Sequence, residues 1–182
     1  MLIDYPYKYY QTPWPYIIID NFYDKDTWEY VLDRKTLINK YRKNAHQEEN
    51  GISLSKIEDK ILLDYFKRKL PVDFLKGVFP NHRYSDSLIP TNTLKITNVP
   101  KLFGIHDEHP EKVFSCTTYV TPSHSIGTFI YDEYKEFQKA ITWKPNRAIV
   151  FAPIDNVTWH SFGSWEETDR YTVDFFWTRT NF

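Results

Sequence analysis

The order of apolar and polar positions divides the chain into a front part with helical spacing and a longer part with strand-like alternation. Pro15-Tyr16-Ile17-Ile18-Ile19-Asp20-Asn21-Phe22 predicts a strand that ends at a polar turn. A helix follows, with Asp24 or Asp26 as N-cap and Trp28, Val31, Leu32, Ile38 and Tyr41 on one stripe. The polar stretch 44–51 predicts a loop. Ser55-Lys56-Ile57-Glu58 has Ser and Glu three apart, a capping box that opens a second helix. Ile57, Ile61, Leu62, Tyr65 and Phe66 supply its apolar stripe, and Pro71 ends it.

From about Leu94 the period shortens. Leu94–Thr97, Lys112–Val120, Thr128–Tyr131, Ile141–Trp143, Ala148–Phe151, Val157–Phe162 and Arg170–Trp177 are β-rich runs. Thr121-Pro122-Ser123, Lys144-Pro145-Asn146 and Phe162-Gly163-Ser164 are turn chemistry between them. Many short strands at regular spacing predict a mainly β, α+β protein: a sandwich or a jelly roll (double-stranded β-helix), with the two N-terminal helices packed on one outer face. The expectation is one domain over 1–182, with a helical part at about 20–75 and a jelly-roll core at about 94–180. No repeat, low-complexity segment or interdomain linker interrupts it.

Composition narrows the partners. The aromatic share is 18 %, high enough to favour strands packed face to face over a helix bundle. A net charge of −1 supplies no global field to recruit nucleic acid or an anionic membrane. The basic clusters Arg42-Lys43 and Lys67-Arg68-Lys69 are short and read as solvated helix ends. The one cysteine, Cys116, allows no internal disulfide and no Cys-based zinc site, and its surroundings read as a buried strand. No basic start leads into an apolar run, and the longest aliphatic run, Ile17-Ile18-Ile19, is far too short to span a bilayer. The expectation is a soluble cytoplasmic protein with no nucleic-acid or membrane partner.

The candidate chemistry lies in Gly104-Ile105-His106-Asp107-Glu108-His109 and in Trp159-His160. On a strand, His106 and Glu108 point to one side, and a distant His160 can complete a three-ligand metal site. Two imidazoles and one carboxylate with open positions suit non-haem Fe(II) and oxygen chemistry. Asp107 is the competing carboxylate; a regular strand turns it to the opposite face, and a bulge could re-aim it. His109 shares the face of Asp107 and reads as support or surface. Arg170 would place a fixed positive fork near the metal.

Taken in order, these motifs resemble the 2-oxoglutarate- and Fe(II)-dependent oxygenases, in particular the prolyl 4-hydroxylase-like branch. The matching residues are His106-Asp107-Glu108, Pro110-Glu111-Lys112-Val113 leading to Thr118-Tyr119-Val120, Gly127-Thr128-Phe129, Pro145–Phe151, Trp159-His160 and Arg170-Tyr171-Thr172-Val173. The entry strand Pro15–Phe22 and its helix resemble that branch as well. One departure stands out: the family has His-x-Asp where this chain has Glu108. The resemblance implies Fe(II) on His106, Glu108 and His160, with 2-oxoglutarate as cosubstrate and molecular oxygen as co-reactant. It implies Arg170 as the forked partner of the cosubstrate's far carboxylate. Thr172, two residues on, adds a hydroxyl on the same side. Tyr119 offers a phenol to the same carboxylate, and Thr117 shares its face. The product would be a hydroxylated C–H carbon of a prolyl residue or an amino-acid-like substrate, within a peptide, a protein or a small molecule.

Other readings stay open. Trp143, Trp159, Trp177 and Phe151 are candidates for the pocket wall. Segments 44–51 and 80–93 are candidates for a lid, with Arg83, Tyr84 and Asn92 in the second. A cupin-like metal-binding jelly roll without 2-oxoglutarate is the main alternative, and Arg170 separates the two by lying in the pocket or on the surface. A zinc hydrolase is a third reading, since two His and one Glu also suit zinc.

Overall fold

The computed structural model describes residues 6–41, 46–48, 51–53, 59–82, 84, 87–97, 104–163 and 169–180. Its elements in chain order are β1 (Lys8–Tyr10), β2 (Tyr16–Asp20), α1 (Lys25–Tyr41), β3 (His46–Glu48), β4 (Gly51–Ser53), α2 (Lys60–Lys69) and α3 (Val72–Val78). They continue with β5 (Leu88–Thr97), β6 (Lys112–Thr121), β7 (Thr128–Tyr131), β8 (Phe137–Ala140), β9 (Arg147–Phe151), β10 (His160–Phe162) and β11 (Arg170–Arg179). Eight strands form one sheet in the order β1-β2-β9-β6-β11-β5-β4-β3; the other three form a short sheet, β10-β7-β8. All strand pairs among the described residues are antiparallel.

The large sheet is buried on both faces at its centre. Ile17 and Ile19 of β2 join the cluster that holds Val31, Leu62, Phe66 and Leu75 from the helices. Tyr16 and Ile18, on the other face, join Tyr119, Ile149 and Phe151 together with Ile130 of the short sheet. This explains why β2 reads as a continuous apolar run instead of an alternating one. Helices thus cover one face and the short sheet faces the other. On the helical side Phe66 stacks on Phe175 with centroids 4.7 Å apart, and the Trp177 indole donates to the Leu70 carbonyl at 3.1 Å. Trp177 therefore packs under the helices and is no pocket wall.

Several expectations change. The Asp24 carboxylate accepts the Thr27 N–H at 2.9 Å, which makes Asp24 the cap of α1. Helix α2 is capped by Asp59, whose side chain accepts the Leu62 N–H at 3.1 Å; the Ser55–Glu58 box lies outside the described residues. Ile61 is 58 % exposed, so the stripe of α2 is Leu62, Leu63, Tyr65 and Phe66. Pro71 does end α2, and its extended ψ of 148° makes it the N-cap of a third helix, α3. The segment expected as a loop at 44–51 contributes to a hairpin of β3 and β4, which pairs onto β5. Strand β5 begins at Leu88, so 88–93 is sheet and no lid. Ile141–Trp143 is not a strand: β8 precedes it, and Ile141 and Trp143 are buried side chains closing the core between the sheets.

The turn before β9 is built around Asn146, whose φ is 62°. Its amide accepts from Tyr23 N at 2.8 Å and donates to Tyr23 O at 3.0 Å, which locks the end of β2 to β9. Cys116 is buried in the core. Among the described residues no helix is long and apolar enough to cross a membrane.

Candidate active site

His106 and His160 are brought together by the main chain. His106 N donates to His160 O at 3.0 Å and His160 N donates to His106 O at 2.9 Å, an isolated antiparallel bridge next to β10. Residues opposite each other in such a pair project to the same face. Their imidazole centroids stand 4.4 Å apart. The sequence places His106 on a strand, but apart from this bridge 107–109 is irregular, so strand alternation does not govern Glu108.

Each imidazole is oriented by a carbonyl two residues back. The Nδ1 of His106 lies 2.8 Å from Gly104 O and that of His160 lies 3.0 Å from Thr158 O. A carbonyl only accepts, so Nδ1 carries a proton in both rings, and Nε2 is the ring nitrogen left to face the cavity. Burial, helped by the neighbouring His160, lowers the His106 pKa to about 4, which holds the ring neutral at physiological pH.

Glu108 faces the same cavity. Its Oε1 accepts from Ser115 Oγ at 2.7 Å and stands 3.9 Å from His160 Nε2. Its Oε2 is ion-paired to Lys112 Nζ at 2.5 Å. Burial pushes the carboxyl up, but Lys112, His160 and the Ser115 hydrogen bond outweigh it and hold Glu108 below the usual range. A register shift in β6 explains Lys112: Thr178 pairs with Lys112 where regular pairing after Phe114 would bring Val113. The even-numbered lysine thereby joins Thr117 at the cavity. Asp107 turns away, and its Oδ2 accepts the Asn156 N–H at 2.9 Å. The His109 side chain is 65 % exposed.

Arg170 is only 2 % exposed and lines the same cavity. Its Nε donates to Ile126 O at 3.2 Å, and its guanidinium lies over Trp143 at 4.9 Å and Phe162 at 5.3 Å. Burial lowers its pKa from the ordinary value. Among the described residues Arg170 forms no ion pair. Thr172 and Thr117 line the cavity beside it. The Tyr119 hydroxyl accepts Thr128 N–H at 3.0 Å and shares a hydrogen bond with Thr128 Oγ1 at 2.8 Å, so the phenol reaches the cavity through Thr128. Gly127 fits here for lack of space: a Cβ would meet Ile141 O at 1.7 Å.

The inner cavity measures about 100 Å³. It opens past Phe162, Phe176 and Glu108 into an outer groove of about 980 Å³ along Thr91, Thr93, Pro110 and Arg179. Phe151 lines the cavity; Trp143 supports Arg170 from behind, and Trp159 carries the Lys135 ammonium at 3.9 Å over its ring. Tyr84 packs on Phe114 and donates to Phe79 O, away from the cavity; Arg83 lies outside the described residues. Sequence reasoning passed over Lys95, Lys112, Ser115 and Asp174. Alternation from Arg170 and Thr172 would have found Asp174, whereas Lys112 arrives through the register shift and leaves no spacing signal.

Two imidazoles that turn Nδ1 to a carbonyl, with a buried carboxylate beside them, are a donor set that fits a divalent cation. Among the described residues, however, no three His, Cys, Asp or Glu are already drawn together as a metal cage. Both oxygens of Glu108 are engaged, one by Ser115 and one by Lys112.

No family model matches the chain, and no curated protein does. Solved structures do. A viral collagen prolyl hydroxylase from Paramecium Bursaria Chlorella virus-1, in complex with 2OG, superposes with TM-score 0.61 at 13 % identity, covering 91 % of this chain and 96 % of that one. A Pseudomonas putida prolyl-4-hydroxylase gives TM-score 0.67 at 8 % identity, covering 91 % and 93 %. A Trichoplax adhaerens prolyl hydroxylase, in complex with a hypoxia inducible factor peptide fragment, gives 0.65 at 12 %, covering 90 % and 83 %. Across nearly its whole length, this chain has the fold of solved prolyl hydroxylases.

Proposed function

We propose that the chain is a 2-oxoglutarate- and Fe(II)-dependent dioxygenase of the prolyl 4-hydroxylase-like branch, folded as one jelly-roll domain. It hydroxylates an unactivated C–H bond, of a prolyl residue or an amino-acid-like substrate. The observation that carries the reading is Arg170: a buried guanidinium aimed at the same small cavity as His106, Glu108 and His160. A charge removed from water calls for a counter-charge. A cosubstrate carboxylate supplies one, and a forked donor fits it bidentately. This supports the oxoacid reading over the cupin-like one, which places Arg170 on the surface.

His106 and His160 hold the metal through Nε2, and Glu108 supplies the third, anionic ligand. Bound Fe(II) supplies oxygen activation coupled to the conversion of 2-oxoglutarate to succinate and carbon dioxide. Arg170 fixes the far carboxylate of the cosubstrate, with the Thr172 and Thr117 hydroxyls beside it. Phe151, Phe162 and Phe176 keep bulk water from the reacting centre. The outer groove admits the substrate, and a neighbour solved with a peptide fragment supports a peptide as one class.

The test is anaerobic mixing of protein, Fe(II) and 2-oxoglutarate, followed by admission of oxygen. A weak visible absorption on mixing and succinate release after oxygen are expected, both lost in His160→Ala. Bound iron with no absorption on adding 2-oxoglutarate sinks the cosubstrate assignment, and full succinate release from His160→Ala sinks the metal ligand.

A further inference from the structure

Glu108 is not an idle carboxylate waiting for a cation. Lys112 Nζ is paired to Oε2 at 2.5 Å while Ser115 holds Oε1 at 2.7 Å. The same ammonium lies 3.8 Å from the centre of the Phe176 ring, so an aromatic face supports it from a second side. The register shift in β6 is what delivers it, since without that shift residue 112 would not oppose Thr178 at the cavity mouth. The Lys112 side chain is 25 % exposed and that of Glu108 10 %, so the pair sits at the threshold between the inner cavity and the outer groove.

We propose that Lys112 is the resident counter-ion of Glu108. In the metal-free protein it holds the carboxylate inside the cavity, and a divalent cation binds only by displacing it. This rests on Glu108 being a metal ligand. Glu, one methylene longer than Asp, has the reach to serve both partners: it meets Lys112 across one turn of irregular chain and swings toward the imidazole Nε2 atoms when the metal arrives. Removing the ammonium then removes a competitor for the carboxylate and a like charge beside the metal, so metal affinity rises. Lys112 is a positioning residue in this scheme. Its effect is on loading of the site, not on the reacting atoms.

The experiment is titration of the metal-free protein with Mn(II), followed by electron paramagnetic resonance and by calorimetry, in wild type and in Lys112→Met. The expected result is at least about tenfold tighter Mn(II) binding in the variant. Lys112→Gln keeps a hydrogen-bond donor for Glu108 without the charge; it should bind more tightly as well, and it serves if Lys112→Met does not fold. Unchanged or weaker Mn(II) binding in the variants overturns the proposal. Tighter binding without succinate release from Fe(II)-loaded protein leaves the counter-ion standing and removes the oxygenase reading. Succinate release with Mn(II) affinity independent of residue 112 does the reverse.

Discussion

Replacing Arg170 with methionine separates an anion-binding arginine from a structural one. In the free protein the guanidinium has one hydrogen bond to Ile126 O and the faces of Trp143 and Phe162 as its visible compensation. That hydrogen bond is worth about 1 kcal/mol and each ring contact about 0.5–2 kcal/mol. Against them stands a desolvation cost of several kcal/mol for a buried cation that makes no direct ion pair, its carboxylate influence coming from Asp174 of the same cavity. The variant is therefore expected within about 1 kcal/mol of wild type in the absence of ligand. Cosubstrate binding loses two charge-assisted hydrogen bonds of about 1.5 kcal/mol each, which multiplies the dissociation constant of 2-oxoglutarate by about 150. Calorimetric titration of Mn(II)-loaded protein reads the affinity, and thermal unfolding of the apo form reads the stability. A loss of more than about 2 kcal/mol of apo stability with unchanged 2-oxoglutarate affinity would refute the reasoning and make Arg170 a core strut.

Gly127→Ala drives a methyl into Ile141 O and displaces the turn that carries Ile126 O; a loss of about 3 kcal/mol is expected, and a melting temperature within a degree of wild type would contradict it. Asp20 is held at about 2 by its hydrogen bonds to Arg147, with Lys144 adding to the effect. Since the folded value is depressed, the stability is present above about 3.8 and fades as pH falls through about 2. Asp20→Asn should cost about 1 kcal/mol at pH 6, after allowance for partial exposure, and almost nothing at pH 2; equal losses at both pH values would rule out the ionic origin. Asn146→Ala removes both links to Tyr23 and leaves alanine at positive φ, so about 2–3 kcal/mol should be lost by denaturant unfolding, and a loss below about 0.5 kcal/mol would show the turn is held elsewhere.

Much of the framework was legible because local pattern and tertiary role agree. Strands β2, β6, β7, β9 and β11 each cover an expected run, and Asp24 caps α1 as its side-chain chemistry requires. Strand β8 was missed because all four of its residues are exposed and leave no alternation to read. Ile141–Trp143 reads like a strand because an apolar run alone does not distinguish a strand from side chains that fill a gap between sheets. The short β3 and β4 hairpin depends on pairing to β5, which no local signal specifies. In the site, the residue types were readable but their grouping was not. His106 meets His160 through a main-chain bridge across more than fifty positions, and Lys112 enters through a register shift. Such long-range features follow from how strands pair, so spacing along the chain is silent about them.

That main-chain bridge between positions 106 and 160 has a consequence for how the site can change. The hydrogen bonds that set the two positions side by side involve no side-chain atom. Substitution of either imidazole therefore leaves the partner where it was. The pair behaves as a socket whose contents can be exchanged one at a time, by mutagenesis or by descent, without dismantling the frame that holds them.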